Sequence, residues 1–194
     1  MKKNIAIFAS GSGSDMQSVI DATLSGQING QVVAVVTNKQ DIYAIERAKK
    51  HSIDHKTFSL SDYENNEDRD RAIVNFLKPY NIDLIVLAGY LAIVTPVLVD
   101  EYKDRIINIH PSLIPNHCGK GMYGIRVHRS VLESGDKVSG CTVHFVDYGA
   151  DTGKIIKQVR VPVKDGDTPE SLQARVLEEE HKLLPEVVAM LSEK

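Results

Sequence analysis

The chain has 194 residues, of which 25% are charged and 42% hydrophobic, and its formal net charge is -3 at pH 7. This length supports a sizeable hydrophobic core, and the charge excludes the strongly basic surface that binds nucleic acids or anionic membranes. The apolar stretch after Met1 is too short for a signal peptide or a membrane span, so we expect a cytoplasmic protein.

Strand-like and helical segments alternate along the first half of the chain. The apolar strand segments are continuous rather than alternating, which is typical of parallel strands covered on both faces. The predicted strands are 4–9, 32–38, 82–89 and 105–110, with a short edge strand near 54–58. The predicted helices are 14–24, 41–50, 60–78 and 95–102, and the charges of DYENNEDRDR predict a solvated helix face.

The last third of the chain changes pattern. Segments 141–146 and 154–163 predict an antiparallel or mixed extension of the sheet. Thr168 and Pro169 predict the N-cap and first residue of a long final helix. We therefore expect a single α/β domain over residues 1–194, with a doubly wound, mostly parallel but mixed sheet and helices on both faces.

The stretch ASGSGSD follows the first predicted strand and opens the first predicted helix. Gly11 and Gly13 match the first two glycines of a dinucleotide fingerprint, but the third position holds Met16. A Walker loop is excluded as well, because no Gly-Lys-Ser/Thr follows. Two interpretations stay open: a phosphate cradle of backbone N–H groups and the Ser12 and Ser14 hydroxyls, or a simple tight turn.

Chemistry-bearing residues follow the strands whose carboxyl ends should meet at one edge of the sheet. Asn108 and His110 are two residues apart on one strand, so their side chains share a face. Together they could provide an oxyanion donor and a general acid or base, or only a hydrogen-bonded strand end. Asp147 and Asp151 are both candidates for the carboxylate partner of His110, and spacing alone does not choose between them.

The final helix carries one anomalous carboxylate. Glu180 falls within the apolar stripe that the helical period predicts, and a carboxylate buried alone is costly. It therefore needs either a structural ion pair with an arginine or a polar ligand for which it acts as acceptor.

The motif NIHPSLIP, together with SGSGSDMQ, LAGYLAIVTP, TVHFVDYGADTG and LEEEHKLLP, resembles the phosphoribosylglycinamide formyltransferase family. The resemblance runs in order along nearly the whole chain. NIHPSL.P alone is shared with methionyl-tRNA formyltransferases and formyltetrahydrofolate deformylases, which normally carry an additional domain that 194 residues would not accommodate. The resemblance implies a Rossmann-type formyltransferase fold and transfer of a formyl group from 10-formyltetrahydrofolate to glycinamide ribonucleotide in purine biosynthesis.

The same resemblance assigns roles to residues. It implies that Asn108 and His110 are catalytic, and that Asp151 rather than Asp147 pairs with the histidine. The N-terminal half would bind the substrate phosphate, and the C-terminal half would supply the folate site and the catalytic residues. The remaining implied contacts are Gly13, Ser14 and Asp15 with the phosphate, Glu180 with glycinamide ribonucleotide, and Leu91, Ala92, Ile93, Val94 and Asn108 with the folate.

The implied mechanism passes through a tetrahedral oxyanion stabilised by Asn108 and protonated His110. Asp151 would raise the pKa of His110 and assist proton transfer, and no metal would be required. The expected partners are the two small-molecule substrates and, in a homodimer, a second copy of the chain, with no nucleic acid or membrane. Two alternatives remain: a formyltetrahydrofolate hydrolase and a non-catalytic nucleotide-binding module.

Three positions depart from the family pattern. Ala92 stands where an arginine is usual, the loop 116–124 is longer than in the shorter members, and Asp15 replaces a common asparagine. A carboxylate about 4 Å from a phosphate charge would cost roughly 4 kcal/mol at an effective dielectric of about 20. We therefore expect Asp15 to present its backbone N–H to the phosphate and to turn its carboxylate aside, where it accepts N–H bonds of the first helical turn.

Overall fold

The computed structural model describes residues 2–193 and contains a seven-stranded sheet with helices packed on both faces. The strands are β1 (Lys3–Ala9), β2 (Gly30–Thr37), β3 (Asp54–Thr57), β4 (Leu84–Leu87), β5 (Ile106–His110), β6 (Val138–Phe145) and β7 (Ile155–Pro162). The helices are α1 (Ser14–Leu24), α2 (Tyr43–Lys50), α3 (Asn66–Leu77), α4 (Pro96–Glu101), α5 (Ile125–Glu133) and α6 (Pro169–Ser192).

The strand order is β3-β2-β1-β4-β5-β6-β7. The five strands from β3 to β5 pair in parallel, whereas β6 and β7 pair antiparallel. The predicted doubly wound, mostly parallel and mixed sheet is confirmed. Strands β2 and β3 lie on one side of β1, and β4 to β7 lie on the other. The direction in which strands are added to the sheet therefore reverses between β1 and β4.

Strand β1 shows why its sequence is apolar at every position. Ile5 and Ile7 belong to a core shared with α1 and α6, while Ala6 and Phe8 belong to a second core shared with α3. All four side chains are fully buried. Because successive residues of a strand point to opposite faces, a strand covered on both faces requires apolar residues without alternation.

One predicted helix needs correction, and one helix of the structure was not predicted. The helix expected over 60–78 begins only at Asn66, because the side chain of Asn65 accepts a hydrogen bond from the Asp68 backbone N–H and caps it there. Residues 60–62 form a short 3-10 turn before it. Helix α5 was not predicted at all, because its buried residues Val127 and Val131 make only one apolar i,i+4 pair.

The final helix agrees with the sequence. Thr168 accepts a hydrogen bond from the Ser171 backbone N–H, and Pro169 is the first helical residue. Glu180 is buried, as the apolar stripe predicts. In the part of the chain that the structure describes, no helix is both long and apolar enough to cross a membrane.

A buried ion pair lies inside the stretch that the sequence predicts to be a solvated helix face. Arg69 and Asp70 are each 1% exposed, and Arg69 Nη2 lies 2.7 Å from Asp70 Oδ1. Arg69 also donates to the carbonyl of Ile93, and the backbone N–H of Thr95 donates to Asp70 Oδ2 at 2.7 Å. The prediction is wrong for these two residues because they hold the loop between β4 and α4.

Replacing Arg69 with alanine leaves Asp70 buried without its counter-charge. We expect Arg69→Ala to lower the free energy of unfolding by about 3–5 kcal/mol in urea titrations. Arg71→Ala is the matched control, because Arg71 pairs with Asp68 and Glu67 on the exposed side of the same helix. Its expected cost is within about 1 kcal/mol, and equal losses in the two variants would contradict the role of the buried pair.

Candidate functional site

A cleft of about 820 Å³ opens at the carboxyl ends of the parallel strands. It lies beside the point where the strand order reverses, which is where ligands bind in doubly wound sheets. The loops after β1 and β4 are joined there: Ser10 N–H donates to the Gly89 carbonyl at 3.2 Å, and Leu91 N–H donates to Ser10 Oγ at 2.8 Å. These hydrogen bonds fix the two loops relative to each other at the base of the cleft.

The glycine loop forms one end of this cleft. Gly13 has a φ of +70°, and a Cβ on it would lie 2.9 Å from the Cβ of Ala44, so only glycine fits. Two backbone carbonyls of the loop accept hydrogen bonds from α2. Ala44 N–H donates to the Gly11 carbonyl at 3.2 Å, and Arg47 Nε donates to the Ser12 carbonyl at 2.9 Å. The first N–H groups of α1 have no intrahelical acceptor and can bind an anion.

The Asp15 carboxylate turns towards α6, but the expected bonds to first-turn N–H groups are not formed. Its Oδ1 lies 3.5 Å from His181 Nε2, and both atoms are buried without a hydrogen-bond partner among residues 2–193. Burial raises the pKa of Asp15 to about 6. The expected first-turn hydrogen bonds are absent because α6 covers the start of α1, a contact that the local sequence of α1 does not contain.

Glu180 is 7% exposed and lines the same end of the cleft. Burial, followed by the negative charge of Asp15, raises its pKa well above the ordinary value. Among the residues that the structure describes, no cation forms a salt bridge with Glu180. The interpretation of Glu180 as the partner of an arginine in a structural ion pair is therefore excluded for the described residues.

Three of the predicted residues meet at the other end of the cleft. Asn108 Nδ2 donates to Asp151 Oδ1 at 3.4 Å, and His110 Nδ1 lies 3.6 Å from Asp151 Oδ2. Asp147 instead closes a turn, accepting hydrogen bonds from Gly149 N–H at 3.0 Å and Thr152 Oγ1 at 2.6 Å. The structure thus brings Asp151, and not Asp147, to the side chains of β5.

The His110 ring is held by a hydrogen bond at one of its two nitrogens. Nε2 lies 3.0 Å from the His117 carbonyl, which fixes the proton on Nε2, while Nδ1 faces Asp151. Burial lowers the pKa of His110 below its ordinary value and outweighs Asp151 and the His117 carbonyl, which both raise it. Asp151 therefore raises the pKa of His110 as expected, but burial leaves the net pKa of the ring below its ordinary value.

Asp151 itself is held as a carboxylate. Burial raises its pKa, but the neighbouring His144 and His110 rings outweigh burial and keep the pKa below its ordinary value. The backbone N–H of Gly119 donates to Asp151 Oδ2 at 2.9 Å and lowers the pKa further. The site therefore combines a buried imidazole with a stably ionised acid.

His144, within the strand segment TVHFV, is a further member of the site. Its Nδ1 donates to the Phe145 carbonyl at 2.8 Å, so its Nε2 is free to accept from Asn108 Nδ2 at 3.1 Å. His144 pairs directly with Asn108 in the antiparallel ladder of β5 and β6. The register that places His144 beside Asn108 joins two distant segments and is not readable from the sequence.

The predicted folate segment forms an apolar rim. Leu91 is 49% exposed and Ile93 is 68% exposed, whereas Ala92 and Val94 are half-buried. All four line the cleft, and the Arg69–Asp70 ion pair holds their backbone from behind. Among residues 2–193, no group of three His, Cys, Asp or Glu side chains could hold a metal ion.

The fold corresponds to a known class of protein. The family model described as formyl transferase matches residues 3–188, and the chain belongs to this family. Within the family, the chain is similar to phosphoribosylglycinamide formyltransferases over its whole length, which confirms the resemblance drawn from the motifs.

Two relatives illustrate the extent of the sequence similarity. The chloroplastic phosphoribosylglycinamide formyltransferase of Arabidopsis thaliana is 43% identical over 194 residues, which are all of this chain and 66% of that protein. The trifunctional purine biosynthetic protein adenosine-3 of Chironomus tentans is 42% identical over 98% of this chain and 14% of its own length. The chain thus spans just under two thirds of the first and a small part of the second.

A solved structure gives the same result. Glycinamide ribonucleotide transformylase 1 of Symbiobacterium toebii superposes with a TM-score of 0.94 at 39% identity. The match covers 99% of this chain and 88% of that one. The seven-stranded mixed sheet is therefore the fold of solved formyltransferases of this kind.

The raised pKa of Asp15 predicts a pH-dependent stability difference. Between pH 4 and 6 the folded protein binds more protons at Asp15 than the unfolded chain does. The contribution of this carboxyl to the free energy of unfolding therefore falls as the pH rises from 4 to 6. We expect Asp15→Asn to be more stable than the wild type at pH 8, with an advantage that shrinks towards pH 4. Denaturant unfolding at a series of pH values measures this difference.

Asp165→Asn is the control, because Asp165 is exposed and undergoes the same change of charge. It should show no such pH-dependent gain. An Asp15→Asn variant that is less stable than the wild type at pH 8 would contradict the assignment.

Proposed function

We propose that the chain transfers a formyl group from 10-formyltetrahydrofolate to the amine of glycinamide ribonucleotide, a step of purine biosynthesis. One observation carries the proposal: Asn108, His110 and Asp151 converge in the same cleft as the anion-binding start of α1. The names of the relatives support it, because both the full-length structural neighbour and the plant relative are named for this reaction.

The acceptor substrate is proposed to enter with its phosphate on the glycine loop. Backbone N–H groups of Gly13, Ser14 and Asp15 would donate to the phosphate oxygens at the start of α1. The neutral form of Glu180, favoured by its burial, would hydrogen-bond the polar glycinamide portion. Phosphate binding would then belong to the N-terminal half of a single domain over residues 1–194, and catalysis to the C-terminal half.

The folate is proposed to lie against the rim after β4. The exposed side chains of Leu91 and Ile93 offer apolar surface to the ring system, and the backbone from Leu91 to Val94 offers hydrogen bonds at its edge. Ala92 supplies no cation to the folate carboxylates. Asn108 would contact both the folate and the formyl oxygen.

In the reaction, the substrate amine attacks the formyl carbon and forms a new carbon–nitrogen bond. The electron pair of the carbonyl moves to its oxygen, and the resulting oxyanion accepts hydrogen bonds from Asn108 Nδ2 and from His110 Nδ1, which takes up a proton from water as the negative charge develops and returns it when the intermediate breaks down. Asp151 assists transfer of a proton from the attacking amine to folate N10, directly or through water. The bond between the formyl carbon and N10 then breaks, releasing tetrahydrofolate.

The lowered pKa of His110 fits this scheme when the developing charge is included. In the ligand-free protein, burial favours the neutral ring, with its proton on Nε2 and its lone pair on Nδ1 towards Asp151. A negative oxygen next to Nδ1 adds a second anion to the attraction of Asp151. The imidazolium is therefore favoured at the stage where it stabilises the transition state.

Removing the oxyanion donors should reduce turnover more than binding. We expect His110→Ala and Asn108→Ala each to lower kcat by about 100-fold or more, with small changes in KM, because their hydrogen bonds form mainly in the transition state. A spectrophotometric formyl-transfer assay with both substrates measures the effect. His55→Ala, on the edge strand β3, is the control, and an unchanged kcat in His110→Ala would overturn the assignment.

The same assay separates the two alternatives. A formyltetrahydrofolate hydrolase would release formate without glycinamide ribonucleotide, whereas the proposed transferase consumes folate only when that acceptor is present. A non-catalytic nucleotide-binding module would bind glycinamide ribonucleotide in calorimetry and show no turnover with either substrate.

A further inference from the structure

The loop 116–124 is anchored by a histidine that no step of the proposed mechanism uses. His117 Nε2 lies 2.7 Å from Asp136 Oδ2, and His117 Nδ1 lies 2.8 Å from Ser130 Oγ. Ser130 belongs to α5 and Asp136 follows it, so both partners lie outside the loop. The side chain of His117 is only 14% exposed. The ring therefore fastens the loop to the end of α5.

The backbone of the same loop contacts both members of the His110–Asp151 pair. The His117 carbonyl accepts from His110 Nε2 at 3.0 Å, and the Gly119 N–H donates to Asp151 Oδ2 at 2.9 Å. These two contacts decide which nitrogen of His110 carries the proton and how the Asp151 carboxylate is turned. Any displacement of the loop would act on both groups together.

We propose that His117 is a positioning residue: its imidazole, held by Asp136 and Ser130, fixes the backbone carbonyl that keeps the His110 proton on Nε2 and leaves Nδ1 facing Asp151. The catalytic effect of this arrangement rests on the proposed formyl transfer. The arrangement itself is a property of the ligand-free protein.

The backbone at His117 explains why the loop needs this anchor. His117 has a φ of +51°, in the left-handed region that residues other than glycine adopt infrequently. Gly119, Gly121 and Gly124 also have positive φ values, so the surrounding backbone has few conformational restraints of its own. The two hydrogen bonds of the His117 ring add to those of its neighbours, in which Ser112 Oγ donates to the Asn116 carbonyl at 2.6 Å and the Gly119 N–H donates to Asp151. Without the ring contacts, the His117 carbonyl would be held less firmly against His110.

The first test is kinetic. His117→Ala should lower kcat by about 10-fold or more while leaving KM for both substrates within about two-fold, because small displacements of reacting groups reduce the rate strongly. Asp136→Asn, which retains the His117 ring and weakens its anchor, should show a smaller loss of the same kind. Glu133→Gln is the matched control, because Glu133 is an exposed carboxylate at the end of the same helix.

A double-variant comparison separates positioning from general destabilisation. If His117 acts through His110, adding His117→Ala to His110→Ala should cause no further loss of the residual rate. A full additional loss in the double variant would overturn the proposal. An unchanged kcat in both His117→Ala and Asp136→Asn would overturn it as well.

The second test needs no turnover. In nitrogen-15 NMR of the ligand-free protein, the His110 ring of the wild type should be in one tautomer, with its proton on Nε2. His117→Ala should produce a mixture of tautomers, whereas Glu133→Gln should not. If His117→Ala does not fold, Asp136→Asn provides the same comparison, and a His110 signal identical to the wild type in the folded variant would refute the proposal. A wild type that shows this tautomer but no formyl transfer would refute only the proposed function.

Discussion

The carboxylate of Asp151 is the group on which the geometry of the cleft depends. A half-buried negative charge needs hydrogen-bond donors, and here the donors come from parts of the chain that are far apart in sequence. Asn108 Nδ2 on β5 and the Gly119 N–H of the loop 116–124 donate to it, while the rings of His110 on β5 and His144 on β6 each lie 3.6 Å from it. Satisfying this one charge therefore brings β5, β6 and the loop to a single point.

Two opposing effects set the state of His110. Burial favours the neutral imidazole, and the charge of Asp151 favours the imidazolium, with burial prevailing in the ligand-free protein. A balance of this kind is useful for a group that must gain a proton only when negative charge develops beside it. The opposite end of the cleft shows a related effect, because burial there raises the pKa values of Asp15 and Glu180 and favours their neutral forms next to the glycine loop.

Much of the fold and part of the site follow from local patterns. Continuous apolar strands predicted a sheet covered on both faces. The two-residue spacing predicted that Asn108 and His110 share a face of their strand, and the helical period predicted that Glu180 lies on the buried face of the final helix. These features depend on residues that are close in sequence. The features that were missed depend on contacts between distant segments, such as the β5–β6 register that brings His144 to Asn108. The burial of Arg69 and Asp70 behind the β4–α4 loop and the packing of α6 over Asp15 are of the same kind.

The most direct test of the account is a crystal structure of the protein with glycinamide ribonucleotide and a folate analogue that cannot transfer its formyl group. The account predicts the phosphate on the N–H groups of Gly13, Ser14 and Asp15, and the amine about 3–3.5 Å from the carbon that it attacks. The formyl oxygen should lie within hydrogen-bonding distance of Asn108 Nδ2 and His110 Nδ1. A phosphate bound elsewhere in the cleft, or a formyl oxygen out of reach of both side chains, would contradict it.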